Sequence, residues 1–334
     1  MAAVPVRERF IGPAADVDVA AAVGDVDPGQ DPSRRMAALT TAHNCEPPAC
    51  LHCLVRNIVF IGGGNMAQAL VGGLVKAGRP GRSIVVVEPN ETTRRRLVGR
   101  YGATARSEPG PAIEVAEIVV WAVKPQAFEA AARECEGKVA GALHVSVMAG
   151  VRSDAIVAAT GSERVVRAMP NTPALIGQGI AGLFARPAVT DEDRADATAL
   201  LGPTGELIWL GIETQLDAVT ALSGSGPAYV FLVLEALLDA GKQMGLSPQV
   251  ARRLAEQTLA GSAALAAASP DSPAELRRHV TSPGGTTEAA IAVLETRAVR
   301  EAFITAVLAA RAKSESLGKP AATTPRSTLL PPTS

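Results

Sequence analysis

The hydrophobic positions before residue 212 fall into short, largely continuous runs. These runs are Ile58–Ile61, Ile84–Val87, Ile118–Val123, Leu143–Val147, Val165–Met169, Ile180–Phe184 and Glu206–Leu210. Such runs are typical of parallel strands that helices cover on both faces. Segments with helical spacing alternate with the early runs, as at Met66, Leu70 and Leu74 before Gly78. The pattern therefore predicts an α/β domain over residues 56–212.

The hydrophobic period changes at Glu213, and helical spacing then continues through most of the chain. The predicted helices are Glu213–Leu222, Pro227–Met244, Pro248–Ala268, Pro273–His279, Glu288–Thr296 and Arg300–Leu317. Pro227, Pro248 and Pro273 each begin a segment, and the first turn of a helix is where the missing N–H group of proline removes no hydrogen bond. We therefore predict an all-α domain over residues 213–318.

The composition is that of a folded protein without a surface for polyanions. Of 334 residues, 47% are hydrophobic and 19% are charged, which allows two domains with a core each. A net charge of −1 provides no positive field for nucleic acid or for an anionic membrane surface. The most apolar stretch, Ala228–Leu238, contains Glu235 and is shorter than the ~20 residues that span a bilayer, so it predicts a buried helix. Neither nucleic acid nor a membrane is an expected partner.

Residues 1–55 show neither helical nor strand periodicity. Cys45, Cys50 and Cys53 lie close to two histidines, a composition that can bind a metal. Their spacing, with two prolines inside, matches no closed zinc pattern, so we predict no metal site and interpret residues 1–55 as disordered or wrongly included. The start of the chain lacks a basic segment followed by an apolar one, so the expected location is cytoplasmic. The tail rich in Pro, Thr and Ser, 319–334, is predicted to be disordered.

A glycine-rich turn follows the first predicted strand and precedes the first predicted helix. Gly62 permits a tight turn, Gly64 lets a pyrophosphate approach the backbone, and Ala67 is small enough for close packing of helix on strand. The helix N-terminus then presents its N–H groups to the phosphates. This context predicts a Rossmann-type dinucleotide-binding domain. The cofactor-binding candidates in the turn are Gly62, Gly63, Gly64, Asn65, Met66 and Ala67.

Glu88 ends the second predicted strand, about 20 residues beyond the glycine turn, where such folds place the residue that contacts the adenosine ribose. A carboxylate can accept hydrogen bonds from both ribose hydroxyls at ~1.5–3 kcal/mol each, which favours NADH. Beside a 2′-phosphate it meets like charge, at ~4 kcal/mol for a separation of about 4 Å. Arg94, Arg95 and Arg96 follow on the next helix and either neutralise a phosphate or form a solvated helix face. Both NADPH and NADH therefore stay open.

Two further strand ends supply candidates for the cofactor site, because open parallel sheets bind ligands at the carboxyl ends of their strands. These candidates are Ala122, Val123, Lys124 and Pro125 after one strand and Met148, Ala149 and Gly150 after the next. Lys124 has two interpretations, as a catalytic acid or as a residue that positions the cofactor or is solvated.

Two polar, glycine-bearing turns interrupt the helical half, at residues 223–229 and 280–287. The second runs Val-Thr-Ser-Pro-Gly-Gly-Thr-Thr, and its threonines open a helix. Free backbone N–H groups and several hydroxyls suit a carboxylate without any arginine, which indicates a small anionic substrate. The alternative is an elaborate helix cap, since Thr and Ser cap helices routinely.

Six motifs stand in one order along the chain: IGGGNMA at Ile61–Ala67, AVKP at Ala122–Pro125, MAG at Met148–Gly150, MPNTPA at Met169–Ala174, SGSGPAY at Ser223–Tyr229 and VTSPGGTT at Val280–Thr287. In this order and spacing, the chain resembles the pyrroline-5-carboxylate reductase family over residues 56–317. The resemblance implies reduction of 1-pyrroline-5-carboxylate to L-proline by NADPH or NADH, the last step of proline biosynthesis. It also implies a helical domain that joins two subunits, with dimers assembled into a larger ring such as a decamer.

The resemblance assigns roles to single residues as well. The implied substrate-binding residues are Glu213, Val280, Ser282, Gly284, Gly285, Thr286 and Thr287. Thr287 matches the threonine that hydrogen-bonds the ring nitrogen, and Thr287 and Ser282 are the implied catalytic residues. Glu213 has an alternative interpretation as a buried carboxylate at a helix start. His279 stands where some relatives have an asparagine beside the cofactor, and Glu88 where several have a small neutral residue, which leaves the NADPH preference frequent in the family undecided.

Two other functions remain as alternatives. A 3-hydroxyacid-type dehydrogenase needs a lysine on the helix after its glycine-rich segment, whereas this chain has Tyr-Val-Phe-Leu at residues 229–232. A non-catalytic NAD(P)-sensing protein needs the glycine turn but gives no reason for the turn at 280–287. For the reductase, we expect the substrate to bind as a protonated iminium, so that catalysis consists mainly of placement.

Overall fold

The computed structural model describes residues 56–318, and its first part is a single eight-stranded sheet. The strands are β1 Ile58–Ile61, β2 Ile84–Val87, β3 Thr104–Arg106, β4 Ile118–Trp121, β5 Leu143–Ser146, β6 Val165–Met169, β7 Gly179–Ala185 and β8 Gly205–Leu210. Their spatial order is β3-β2-β1-β4-β5-β6-β7-β8. Neighbouring strands are parallel except β6 and β7, which are antiparallel. The strand order reverses direction between β1 and β4, which is the position where open sheets of this type bind ligands.

The predicted extension at 1–55, with its Cys45, Cys50 and Cys53, and the predicted tail at 319–334 lie outside the described residues. Those predictions therefore stay predictions. Among the described residues, no group of three or more His, Cys, Asp or Glu side chains is arranged to hold a metal ion.

Eleven α-helices accompany the sheet within residues 56–318. They are α1 Asn65–Lys76, α2 Glu91–Tyr101, α3 Phe128–Glu134, α4 Ser153–Thr160, α5 Asp191–Leu201, α6 Gln215–Val219, α7 Gly226–Gln243, α8 Pro248–Ala268, α9 Pro273–His279, α10 Thr286–Thr296 and α11 Val299–Leu317. The first five alternate with strands, and the last six follow the sheet. The predicted fold class, a Rossmann-type α/β part followed by a helical part, is confirmed.

The apolar strands are continuous because the sheet is covered on both faces. Phe60 on β1 belongs to one core with Leu70 of α1, whereas its neighbour Val59 belongs to a second core with Phe128 of α3. Val59 and Phe60 are 1% and 0% exposed. Since successive strand residues point to opposite faces, burial of both neighbours requires helices on each side.

Some predicted boundaries differ from the observed ones. The strand predicted at Ile118–Val123 ends at Trp121, because the chain then turns through residues 122–125. The helix predicted at Glu213–Leu222 is split into α6 and a wider π-type turn, in which the N–H group of Ser225 donates to the carbonyl of Thr220 at 2.8 Å. The first turns predicted from proline are confirmed, since α7, α8 and α9 each have proline at one of their first two positions.

The prediction that Ala228–Leu238 forms a buried helix is wrong within this chain. The helix forms as α7, but Phe231 and Leu232 are 57% and 63% exposed. Apolar composition predicts that a face will be covered, and it does not predict whether the cover comes from the same chain. Among the described residues, the helical stretch Gln215–Gln243 is also the one that is long and apolar enough, by length and composition alone, to cross a membrane.

Candidate functional site

The glycine turn between β1 and α1 has the shape that a dinucleotide requires. Gly62 has a φ of +99°, and a Cβ atom there would lie 2.7 Å from the carbonyl oxygen of Ala122, so no other residue fits. Gly64 precedes α1 with no side-chain cap, and a Cβ atom added to it would have no neighbour within 4 Å. The first N–H groups of α1 are therefore open to a ligand, and the residues present fit a pyrophosphate.

Glu88 faces this turn from the end of β2. Its Oε2 accepts a hydrogen bond of 2.8 Å from the N–H group of Gly63, and its Oε1 accepts one of 2.8 Å from the N–H group of Asn90. The carboxylate is thus held beside the glycine turn by two backbone donors. This is the position that the sequence predicts for the residue at the adenosine ribose.

The remaining cofactor candidates lie on the same edge of the sheet, at the ends of β4 and β5. Ala122 and Val123 contact the glycine turn, since a Cβ atom at Gly62 would also lie 2.9 Å from the nitrogen of Val123. The N–H group of Val147, at the end of β5, donates to the carbonyl of Trp121 at 3.0 Å. Parallel pairing therefore brings the candidates from β2, β1, β4 and β5 together.

The individual candidates on this edge differ in exposure. Asn65 and Lys124 are exposed, whereas Ala67 and Met148 are buried and Met66 is half-buried against the core. Lys124 precedes a short 3-10 turn that starts at Pro125.

Gly150, the last of the β5 candidates, is constrained by the C-terminal helix. It has a φ of +77°, and a Cβ atom there would lie 2.9 Å from the Cβ of Leu317. The end of α11 thus packs directly on the loop after β5. The contact links the helical part of the chain to the cofactor edge.

The turn at 280–287 joins α9 to α10, and the hydroxyl of Thr281 donates a 2.7 Å hydrogen bond to the carbonyl of Arg277. Gly285 precedes α10 without a side-chain cap, and the N–H group of Gly284 donates to Oε2 of Glu288 at 2.7 Å. Within residues 56–318, the hydroxyls of Ser282, Thr286 and Thr287 make no hydrogen bond, so they are not used to cap the helix. The interpretation of this turn as an anion site stays a prediction, as does the alternative of a helix cap, to which the Glu288 contact belongs.

The turn faces outward in this chain. Val280 is 65% exposed, and Ser282, Gly284 and Thr286 are exposed too. His279 has an exposed side chain whose Nδ1 lies 3.6 Å from a carboxylate oxygen of Asp271. The hydrogen bonds and ion pairs that residues 279–287 make among the described residues all stay within their own helices and the adjoining loops. The substrate-binding candidates other than Glu213 therefore lie together in this turn. The cofactor-binding candidates other than His279 lie together at the edge of the sheet.

Glu213 lies between the sheet and the helices. Its carboxylate accepts hydrogen bonds from the backbone N–H and the hydroxyl of Ser153, both at 2.7 Å, and from Arg167 at 2.8 Å. Burial by itself would raise the pKa of Glu213, but the bonds from Ser153 and Arg167 outweigh it and lower the pKa. These contacts favour the interpretation of Glu213 as a buried carboxylate at a helix start.

Sequence reasoning missed a second link between the two parts. Arg152 forms a 2.5 Å ion pair with Asp217, whose other oxygen accepts a 2.7 Å hydrogen bond from the hydroxyl of Ser314. Asp217 and Ser314 are both 2% exposed. No local pattern signals this link, because Asp217 and Ser314 are 97 residues apart.

Comparisons with known proteins match both parts of the chain. A family model described as pyrroline-5-carboxylate reductase dimerisation matches residues 213–317, and one described as NADP oxidoreductase, coenzyme F420-dependent, matches residues 57–150. A pyrroline-5-carboxylate reductase of Pseudomonas aeruginosa is 42% identical over 78% of this chain and 97% of its own length. One from Haemophilus influenzae is 41% identical over the same shares.

Two solved structures of pyrroline-5-carboxylate reductases resemble this chain as well. A pyrroline-5-carboxylate reductase from Coxiella burnetii superposes with a TM-score of 0.72 at 38% identity, covering 80% of this chain and 100% of its own. A Plasmodium falciparum pyrroline carboxylate reductase with NADP bound also has a TM-score of 0.72, at 29% identity, covering 79% and 98%.

Proposed function

Because the chain belongs to the pyrroline-5-carboxylate reductase family, we propose that it reduces the C=N bond of 1-pyrroline-5-carboxylate to give L-proline, the last step of proline biosynthesis. The observation that carries the proposal is the pairing of an open glycine turn with a second turn, in which Ser282, Thr286 and Thr287 make no side-chain hydrogen bond among the described residues. The family relation identifies the reaction, and these two turns supply a place for each reactant.

The cofactor is bound at the edge formed by β2, β1, β4 and β5. The N–H groups at the start of α1 hold the pyrophosphate, and the candidates after β4 and β5 lie along the rest of the cofactor. When bound, NADPH or NADH supplies the hydride. The relative from Plasmodium falciparum, which was solved with NADP, supports a nicotinamide dinucleotide at this edge.

The substrate is bound by the turn at 280–287. Its carboxylate accepts hydrogen bonds from the backbone N–H groups at the start of α10 and from the hydroxyls of Ser282 and Thr286. The protonated ring nitrogen donates a hydrogen bond to the hydroxyl oxygen of Thr287. The ring binds as a protonated iminium, so its carbon is already electrophilic and no strong protein acid is required. Lys124 then serves to position the cofactor, and catalysis consists of placement and exclusion of water.

Self-association completes the site. The exposed apolar side chains of α7 and the family model described as dimerisation both support a dimer built on the helical part, 213–318. Because the turn at 280–287 faces outward, we propose that the dimer covers it and brings it to a cofactor edge. The proposal also includes further assembly into a decameric ring and a cytoplasmic location. It includes no nucleic-acid or membrane partner, because the net charge is −1.

The test follows the absorbance of the reduced nicotinamide after 1-pyrroline-5-carboxylate is added to the full chain. We expect oxidation of NADH, NADPH or both, with formation of an equal amount of L-proline, and no oxidation when the substrate is omitted. A protein that binds the nucleotide and leaves it reduced after the substrate is added would refute the proposal and favour the sensor.

A further inference from the structure

We propose that Glu88 makes this chain select NADH over NADPH. The inference rests on the proposed function and names its cofactor. Its starting point is that Glu88 lies where folds of this type contact the adenosine ribose, the part of the cofactor in which NADH and NADPH differ.

The carboxylate of Glu88 is fixed in place. One oxygen accepts the N–H group of Gly63 and the other accepts the N–H group of Asn90, both at 2.8 Å. Each carboxylate oxygen can accept more than one hydrogen bond, so both retain lone pairs for further donors. The hydroxyls of an unmodified ribose are such donors.

The base of the Glu88 side chain packs closely on the glycine turn. A Cβ atom on Gly63 would lie 3.1 Å from the Cβ of Glu88 and 2.8 Å from Cδ1 of Leu97, so the glycine turn and the strand end are in tight contact. A group larger than a hydroxyl at this point therefore meets the carboxylate at close range.

The three arginines at the start of α2 are not arranged around a phosphate. Arg94 donates from one nitrogen to the backbone carbonyls of Glu88 at 2.8 Å and Pro89 at 2.6 Å. Arg95 forms an exposed ion pair with Glu91 at 2.6 Å. Arg96 is exposed as well. These two contacts hold one guanidinium nitrogen of Arg94 on the backbone of the strand end.

The charges then decide between the two nucleotides. The ribose of NADH donates hydroxyl hydrogen bonds to an ionised acceptor, which are among the stronger hydrogen bonds in proteins. The 2′-phosphate of NADPH carries negative charge, and at close range it is repelled by the carboxylate. Charge is thus the main reason why NADH should bind more tightly than NADPH. The close packing at Gly63 contributes as well, because it limits the size of the group that fits.

Direct binding tests the inference without any turnover. The dissociation constants of NADH and NADPH are measured for the full chain by fluorescence of the bound reduced nicotinamide, in the absence of 1-pyrroline-5-carboxylate. We expect NADH to bind at least about tenfold more tightly than NADPH, a difference that weakens as salt screens the charges. Equal or tighter binding of NADPH to the unmodified chain would overturn the inference, and this arm requires no variant to fold.

Two variants separate the charge of Glu88 from a general change in net charge. Glu88→Gln keeps the side-chain size and one acceptor oxygen, so we expect NADPH to bind about tenfold more tightly while NADH binding weakens by less. Glu91→Gln, the matched control, removes the same charge three residues further along the chain, at the start of α2, and should leave the ratio unchanged. An unchanged ratio in Glu88→Gln, or an equal change in both variants, would contradict a specific role.

Failure of this inference is distinguishable from failure of the proposed function. Preferential binding of NADH without oxidation on addition of substrate supports the inference and refutes the reductase. Oxidation of both nucleotides with equal kcat/KM and equal affinity supports the reductase and overturns the inference.

Discussion

The guanidinium group of Arg167 on β6 lies 2.8 Å from the carboxylate of Glu213, where the sheet passes into the helices. The two side chains are 5% and 19% exposed. A buried ion pair contributes little relative to apolar residues, but removal of one partner leaves the other charge uncompensated.

Replacement of Arg167 by Met should therefore destabilise the fold. We expect a loss of about 3–5 kcal/mol in the free energy of unfolding, measured by denaturant titration. Arg277→Met, which breaks the exposed pair with Glu295 at 3.0 Å, is the control and should change stability by no more than ~1 kcal/mol. Similar losses of unfolding free energy in both variants would show that the destabilisation does not depend on burial of the ion pair.

Glu213→Gln distinguishes the two interpretations of Glu213. If it is a buried structural carboxylate, the variant should unfold more readily and retain the KM for 1-pyrroline-5-carboxylate once folded. If it contacts the substrate, KM should rise while the free energy of unfolding stays the same. The bonds from Ser153 and Arg167 lead us to expect the first result.

Removal of the Thr287 hydroxyl should lower the rate of reduction. A hydrogen bond to a charged ring nitrogen contributes about 1.5–3 kcal/mol, so Thr287→Ala should lose roughly 10- to 100-fold in kcat/KM, while Thr287→Ser should retain most of it. Thr296→Ala, at the other end of α10, removes a hydroxyl that bonds the carbonyl of Ala292 and serves as the control. Full activity in Thr287→Ala would rule out the proposed contact.

A charge on the exposed face of α7 should break the dimer. Leu232 is 63% exposed, and Leu232→Lys should shift sedimentation toward the monomer because a buried unpaired charge opposes association. We expect turnover to fall with the dimer and nucleotide binding to persist. Val115→Lys, at a residue 62% exposed on the sheet part, is the control and should leave the dimer intact. A dimeric Leu232→Lys protein would place the interface elsewhere.

Substitution of Gly150 should disturb the contact between the cofactor edge and α11. Gly150→Ala combines a left-handed backbone with an overlap on Leu317 and should cost about 1–3 kcal/mol more than Gly161→Ala in thermal or denaturant unfolding. Gly161 is the matched control, since its φ is +72° and an added Cβ would have no neighbour within 4 Å. Equal losses of stability in the two variants would mean that the left-handed backbone, and not the overlap with Leu317, causes the destabilisation.

His144 should make the protein less stable in mild acid. Its Nδ1 accepts a 2.9 Å hydrogen bond from Nε1 of Trp121, and its Nε2 lies 3.0 Å from the carbonyl of Val139, which describes a neutral ring. Burial lowers the pKa of His144 from 6.5 to about 4. The unfolded chain therefore binds the proton first as the pH falls through 6.5, and stability is lost progressively toward pH 4.

The loss at His144 reaches about 3 kcal/mol at most, and denaturant titration at several pH values measures it. His144→Gln should flatten the dependence of stability on pH in this window. His279→Gln, which alters an exposed histidine, should not. A slope that is the same in all three proteins would contradict the assignment.

The order of elements and the cofactor turn were accessible from the sequence. The run at Ile58–Ile61 predicts a strand covered on both faces, and the glycine turn with Glu88 predicts the ribose position, because each depends on neighbours within one turn or one strand. β3 is only three residues long, and its half-buried and exposed side chains give too weak a pattern to define its bounds.

Tertiary structure decided the relationships between distant residues. The sequence left open whether Glu213 is structural, and its contact with Arg167 spans 46 residues. It also left open what Arg94 contacts, and only the fold shows one of its guanidinium nitrogens on two backbone carbonyls. The exposure of α7 reversed a prediction based on composition. These cases share one physical reason. Periodicity in the sequence indicates that a face is covered, whereas only three-dimensional packing determines which residues cover that face and which residues pair with a charge.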